Sequence, residues 1–184
     1  KESQPTAPPL KFFKNYFVTG DYAVAGVGLW GRGVKGIASG SILMSGVPAG
    51  AEILSAYLYW QVVTSNGPES GATGATFNGQ LLSIPGPPAV PTRGGTIAFI
   101  ADTNGTSPCW SGGGGTGNSG GVKKTYSYRA DVKRFLPMGT DGRHVVNRAH
   151  TVQLPDTGNA NNTPKAMGAS LVVVYRDPST TASL

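Results

Sequence analysis

The chain has 184 residues, a length that suits one ordinary domain with its own core. It contains 28 glycines and 14 prolines, while only 13% of its residues are charged, which argues against a charge-rich disordered chain and a coiled coil. Because Gly and Pro are the poorest helix formers, a helix-rich protein is disfavoured as well. The formal net charge is +6, but the basic residues are scattered rather than grouped in a stripe, which argues against nucleic-acid binding. No apolar run approaches the roughly 18 residues of a membrane span, so no membrane-spanning segment is expected.

Residues 1–14 predict an extended, proline-rich arm that contributes nothing to a core. Their first residues lack the apolar stretch of a signal peptide, so the chain reads as a mature secreted protein or a fragment. We expect the arm to dock on its own domain or on a neighbour, because a polar arm is ordered only when something holds it down. The arm residues expected to contact a partner are Lys1, Pro5, Pro8, Pro9, Leu10, Phe12 and Phe13.

Strand signals follow the arm at short spacing. Residues 21–30 are apolar or glycine on both faces, and 36–45 form a second apolar run before a Gly/Pro turn. The clearest strand is 51–63, in which alternate residues form an apolar face. That predicted core face consists of Leu54, Ala56, Leu58, Trp60 and Val62.

The next segments predict a hairpin, two more strands and a short helical turn. Asn78-Gly79 lies between apolar flanks, the strongest short hairpin signal. Residues 96–101 and 122–130 predict strands, the second with alternating Tyr/Ala and polar residues. Asp131 is placed to begin a single helical turn that Pro137 ends.

The last two predicted strands are 145–154 and 169–175. His144 and His150 lie six residues apart, so we expect them about 20 Å apart on one strand face, both at the surface, and unable to share a metal. The run 169–175 is almost wholly apolar, which predicts a central strand buried on both faces.

About eight strands and no βαβ alternation predict an all-β fold: an antiparallel, jelly-roll-like β-sandwich with one short helix. We expect residues 15–184 to form this single domain.

Catalytic motifs are weak throughout. Gly26 to Gly31 matches the dinucleotide fingerprint G-x-G-x-x-G, but no helix follows to hold a pyrophosphate, so close-packed strand glycines are the better interpretation. The glycine-rich loop 111–121 lacks the Lys-Ser/Thr of a phosphate-binding loop. No paired acids or nucleophile–base pair stands out, so we expect a protein that is not an enzyme and has no catalytic residues.

Four residues of the segment 102–110 suggest binding chemistry. Asp102 and Asn104 resemble the opening of a calcium loop, although the closing acid is missing and a simple Asx turn is the alternative. No cofactor is therefore expected, with calcium as the alternative. Cys109 is the single cysteine, which predicts an intermolecular disulfide or an inert buried thiol. Trp110, beside it in a loop, is expected to contact a partner.

Five segments carry strand and turn motifs: GVPAGAEILSAYLYW at 46–60, GDYAVAGVGLWG at 20–31, PCWSGG at 108–113, YSYRADV at 126–132 and GASLVVVYRDP at 168–178. Together they resemble a group of uncharacterised bacterial secreted and cell-surface proteins that carry an N-terminal β-sandwich domain. The resemblance implies a sandwich fold and a cell-surface setting, and it implies no chemistry. It also implies a further apolar strand after 168–176, whereas the sequence ends at Leu184, so we expect either that another segment completes the domain or that its remainder lies outside this sequence.

These observations predict a non-catalytic structural subunit of an extracellular or cell-surface assembly, such as a filament or surface layer. Its copies would associate as a homo-oligomer or filament through extended segments and strand addition to exposed sheet edges. The alternative is a carbohydrate-binding or adhesive module, stabilised by calcium, with a glycan as its partner.

Overall fold

A computed structural model describes residues 12–82, 95–102, 123–159 and 162–177. These residues form ten strands: β1 (Gly20–Gly28), β2 (Gly33–Val34), β3 (Ile37–Leu43), β4 (Glu52–Thr64), β5 (Thr76–Phe77), β6 (Gln80–Leu81), β7 (Ile97–Asp102), β8 (Lys124–Asp131), β9 (Ala149–Pro155) and β10 (Lys165–Arg176). Two short 3-10 turns, Pro68–Gly71 and Lys133–Phe135, complete the secondary structure of this part of the chain. None of its helical segments is long and apolar enough to cross a membrane.

The strands form two five-stranded antiparallel sheets that pack face to face. The first sheet has the order β1-β10-β4-β8-β7 and the second β2-β3-β9-β5-β6. The pairs β1–β10, β3–β9, β4–β8 and β5–β6 are nested in the chain, as they are when one long antiparallel hairpin wraps into a jelly roll. The expected all-β, jelly-roll-like sandwich is confirmed.

The core lies between the two sheets and follows the alternation of the strands. On β8, Tyr126, Tyr128 and Ala130 are buried while the residues between them are half-buried. On β10 the same alternation runs from Ala169 to Tyr175. β10 is central as expected, but its second face is only half-buried, so the prediction of burial on both faces is wrong in part.

The predicted core face of β4 is correct except at its start. A register shift between β10 and β4 places Tyr175 opposite Ile53 and Val174 opposite Ser55, which leaves Leu54 as the extra residue of a β-bulge. A bulge reverses the side-chain alternation beyond it, so Ile53 is buried in the core and Leu54 is only half-buried.

Two local predictions have clear structural counterparts. Asn78 and Gly79 both have positive φ, 49° and 75°, as a two-residue type I′ hairpin between β5 and β6 requires. The helical turn after Asp131 is the 3-10 turn Lys133–Phe135, and the Asp131 carboxylate accepts a hydrogen bond from the Lys133 backbone N–H at 3.0 Å.

The expected surface position is wrong for His150, whereas His144 is half-buried. His150 lies on β9 with 0% of its surface exposed, and its ring stacks on Phe77 at 5.5 Å between centroids. His144 lies before β9, in an isolated bridge with Met138, so the two histidines do not share a strand. His150 shares the buried face of β9 with Val152 and Leu154, so the alternation of this strand was the signal that the surface prediction overlooked.

Candidate assembly surface

β1 is an edge strand whose outer hydrogen-bonding side faces away from the sheet. Within the described residues it pairs only with β10, residue for residue from Gly20 opposite Arg176 to Gly28 opposite Gly168. Just beyond its two ends, the Asp177 N–H donates to the Thr19 carbonyl at 3.1 Å and the Leu29 N–H donates to the Met167 carbonyl at 3.0 Å. Thr19 and Leu29 therefore belong to hydrogen-bonded pairs of this ladder.

In an antiparallel ladder such pairs alternate with pairs whose backbone groups point the other way. The odd-numbered residues of β1 thus direct their N–H and C=O groups to β10, and the even-numbered ones direct theirs outward. The outward residues are Gly20, Tyr22, Val24, Gly26 and Gly28. One outward donor has a partner in its own strand, because the Tyr22 N–H donates to Asp21 Oδ1 at 2.7 Å. Within the part of the chain that the structure describes, the others form a row of unpaired groups to which another strand can add.

The other described sheet edges are shorter. β2 and β6 have two residues each and β7 has six, compared with nine in β1. Natural proteins protect long edges with lysine, proline, bulges or covering loops. β1 contains no lysine, proline or register shift, and Asp21 is its only charged residue. Among the described strands, β1 is therefore the edge best suited to pairing with another chain.

An apolar strip continues from this edge onto the outer face of the first sheet. Tyr22 and Val24 are 65% and 55% exposed. They lie opposite Val174 and Val172 of β10, which are half-buried. A partner strand added to β1 would cover the exposed parts of Tyr22 and Val24 and remove apolar surface from water.

The segment that precedes β1 crosses the same outer face. Tyr16 donates a hydrogen bond to Ser55 Oγ at 2.7 Å, and its hydroxyl lies 3.0 Å from that of Tyr57. The Phe13 ring packs edge-on against Tyr57 at 5.2 Å, and the Arg129 guanidinium lies over the Phe13 ring at 3.2 Å from its centroid. This part of the predicted arm is thus docked on its own domain.

The burial of Tyr57 beneath this segment changes the pKa of its hydroxyl group. That pKa is raised to about 12, chiefly because burial disfavours the charged phenolate, while the hydrogen bond with Ser55 acts in the opposite direction. The neighbouring Tyr16 raises it as well. Tyr57 therefore stays protonated at neutral pH and can serve only as a hydrogen-bonding and packing group.

The predicted partner-contact residues have different surroundings in the structure. Phe12 is 77% exposed, and Phe13 contacts Tyr57 and Arg129 of its own chain. Phe17, which the sequence analysis did not single out, is 92% exposed. The remaining predicted residues lie outside the described part of the chain: Lys1, Pro5, Pro8, Pro9, Leu10, Cys109 and Trp110.

A polar cleft of about 970 Å³ opens at one end of the sandwich. Its charged lining comprises Lys133, Arg143, Arg176 and one acid, Glu52, which forms an ion pair with Arg176. Burial lowers the pKa of His144, a further lining residue, and the charge of Lys133 lowers it too. The cleft is therefore positively charged, and its described lining holds a single carboxylate, which is already engaged.

The side chains of both calcium candidates lie outside the described part of the structure. Asp102 is the last residue of β7, and Asn104 lies outside the described residues. Within the described ranges no group of three or more His, Cys, Asp or Glu side chains converges as a metal site would require.

The tryptophans have different surroundings. Trp60, predicted as a core residue, is 2% exposed and stacks on Tyr128 at 5.2 Å. Trp30 is 49% exposed, and the Lys165 ammonium lies 4.9 Å from its ring centroid. These two residues therefore do not form a flat aromatic row of the kind that stacks on sugars.

Sequence reasoning did not identify β1 as an open sheet edge. It noted that 21–30 is apolar or glycine on both faces, but the position of a strand within its sheet depends on pairings that periodicity does not report. The available signal was the absence of lysine and proline from a nine-residue strand.

Comparison of the chain with models of protein families, with curated proteins and with solved structures found no match in any of the three.

Proposed function

We propose that this protein is a non-catalytic structural subunit of an extracellular or cell-surface assembly, such as a filament or surface layer. Its subunits associate by adding a strand to the open edge of β1. The observation that carries this proposal is the row of outward N–H and C=O groups on a nine-residue edge strand without lysine or proline.

Strand addition supplies both affinity and order to such an assembly. Backbone hydrogen bonds hold the added strand, and side chains beside the edge determine which strand is accepted. Here Tyr22 and Val24 supply exposed apolar surface directly beside the open backbone groups.

The segment before β1 supports an assembly role for extended chain. Residues 12–16 already hold to the sheet by one aromatic contact, one cation–π contact and the hydroxyl of Tyr16. Phe12 and Phe17 remain exposed on either side of this attachment. The resemblance of several segments to bacterial surface proteins supports the extracellular location.

Sedimentation velocity and amide hydrogen exchange on the 184-residue chain test the proposal. We expect the average mass to rise above 18.9 kDa over about a hundredfold range of micromolar concentrations. In the assembled sample the outward amides of Val24 and Gly26 should exchange more slowly than in the dilute one.

The amides of Ala23 and Ala25 are the internal control, because their N–H groups point to β10 and should be protected at every concentration. A chain that stays monomeric throughout, with Val24 and Gly26 exchanging at an unprotected rate, would contradict the proposal.

A further inference from the structure

We propose that the strand received by β1 is β1 of a second copy of this chain, paired antiparallel about a two-fold axis at Val24. This inference rests on the proposed function and specifies its partner. It makes the first sheet continuous across two copies and closes this edge, so that any larger assembly must grow through another surface.

The alternation of backbone groups restricts the register. A two-fold pairing must place an outward residue of one copy opposite an outward residue of the other, so the axis passes through a residue of β1 and not between two residues. An axis at Val24, the middle of Gly20–Gly28, pairs all nine residues of both strands. An axis at Ala23 or Ala25 would pair only about seven residues of each β1, and an axis at Tyr22 or Gly26 only about five.

This register also pairs complementary side chains. Tyr22 of each copy lies opposite Gly26 of the other, and an aromatic ring beside a glycine is a favourable cross-strand arrangement. Gly26 cannot easily supply its own side chain, because a Cβ there would lie 3.0 Å from Ser170 Oγ and 3.2 Å from the Ala169 carbonyl oxygen. Tyr22 of the second copy covers the surface that Gly26 leaves bare.

Charge within β1 does not oppose the pairing. Asp21 is the only charged residue of β1, and the register places it opposite Val27 of the second copy. The two Asp21 carboxylates are then offset by six residues, about 20 Å along the strands, where their repulsion is screened. Asp21 must only release the Tyr22 N–H, which then donates to the second copy.

Proline substitutions distinguish the contribution of the β1 edge to dimerisation from the contribution of β1 to the stability of the fold. Val24→Pro removes an N–H that points outward, so it should raise the dimer dissociation constant at least about tenfold and change the melting temperature little. Ala25→Pro is the matched control, because it removes an N–H that bonds to β10 and should lower the melting temperature.

Disulfide crosslinking tests the register in a Cys109→Ser background. Val24→Cys should form a dimer under mild oxidation, since paired residues of the two strands lie about 5.5 Å apart between Cα atoms. Tyr22→Cys is the matched control on the same strand face, because the two copies of residue 22 would be offset by about 13 Å along the strands.

The possible outcomes test the β1–β1 pairing and the proposed function separately. A dimer of twice the 18.9 kDa chain mass that Val24→Pro weakens, with crosslinking by Val24→Cys and not Tyr22→Cys, supports the inference. An assembly that Val24→Pro leaves unchanged, or equal crosslinking by the two cysteines, overturns the inference and leaves the proposed function standing. A chain that is monomeric at every concentration overturns both.

Discussion

Asn78 and His150 hold each other in one orientation, with Asn78 Nδ2 3.1 Å from His150 Nδ1 although the residues are 72 positions apart. The Asn78 amide cannot turn over, because Nδ2 also donates to the Phe135 carbonyl at 3.0 Å and Oδ1 accepts from the Thr151 N–H at 3.1 Å. Nδ1 of His150 must therefore accept, and Nε2 carries the proton that it donates to the Val146 carbonyl at 2.8 Å. This network stabilises a neutral histidine in the core.

The first prediction is that the protein loses stability as the pH falls below about 6.5. Burial lowers the pKa of His150 in the folded state, the hydrogen bond to Val146 acts in the opposite direction, and Arg148 lowers it further. The unfolded chain therefore takes up a proton near its ordinary pKa of 6.5, before the folded chain does. The contribution of neutral His150 to the free energy of unfolding is complete above that pH, and it declines as the pH drops towards the folded-state pKa. Urea denaturation at about pH 7.5 and about pH 5.5 measures the change.

His150→Gln should flatten that pH dependence while lowering stability at neutral pH, because the shape and the hydrogen bonds of the imidazole are lost. His144→Gln is the control, since His144 is only partly buried and also has a lowered pKa, so its removal should flatten the profile less. An unchanged pH profile in His150→Gln would show that other groups control it.

The second prediction concerns Gly71, which packs against the Trp60–Tyr128 stack. The Trp60 indole donates to the Gly71 carbonyl at 3.2 Å, and the Tyr128 hydroxyl donates to the Pro68 carbonyl at 2.6 Å. A Cβ on Gly71 would lie 2.3 Å from the Tyr128 hydroxyl oxygen. Gly71→Ala should therefore lower the free energy of unfolding by about 1–3 kcal/mol, measured by denaturant unfolding.

Gly28→Ala is the matched control, because a Cβ there meets nothing within 4 Å. Its stability should stay within about 0.5 kcal/mol of the parent chain. Equal losses in the two variants would mean that glycine flexibility, rather than the packing around Tyr128, determines the effect.

The third prediction is that the Tyr16 hydroxyl holds residues 12–16 on the sheet. Tyr16→Phe keeps the ring but removes the contacts with Ser55 and Tyr57. Loss of about 1 kcal/mol of hydrogen bonding should raise the open population, and with it trypsin cleavage after Lys14, about fivefold. Limited proteolysis followed by mass spectrometry measures the rate.

Tyr22→Phe is the control for this experiment, because the Tyr22 side chain is 65% exposed and lies on the same outer face. Its cleavage rate after Lys14 should match that of the parent chain. If Tyr16→Phe is cleaved no faster, the rings of Phe13 and Tyr16 hold the segment without help from the hydroxyl.

Local sequence was sufficient wherever the deciding interaction lies within one element or one turn. Alternation along 51–63 and 122–130 identified the buried faces of β4 and β8, since neighbouring side chains of a strand point to opposite faces. Asn78-Gly79 identified its hairpin because both residues tolerate positive φ. The shortage of charge and of helix formers indicated the all-β class.

Only the tertiary structure decided the features that depend on partners far away in the chain. The bulge at Leu54 arises from the register between β4 and β10, and the hydrogen bond that orients the His150 ring comes from Asn78, 72 residues before it. The open edge of β1 likewise follows from the order of five strands in a sheet, an arrangement set by long-range backbone pairing rather than by the composition of any single strand.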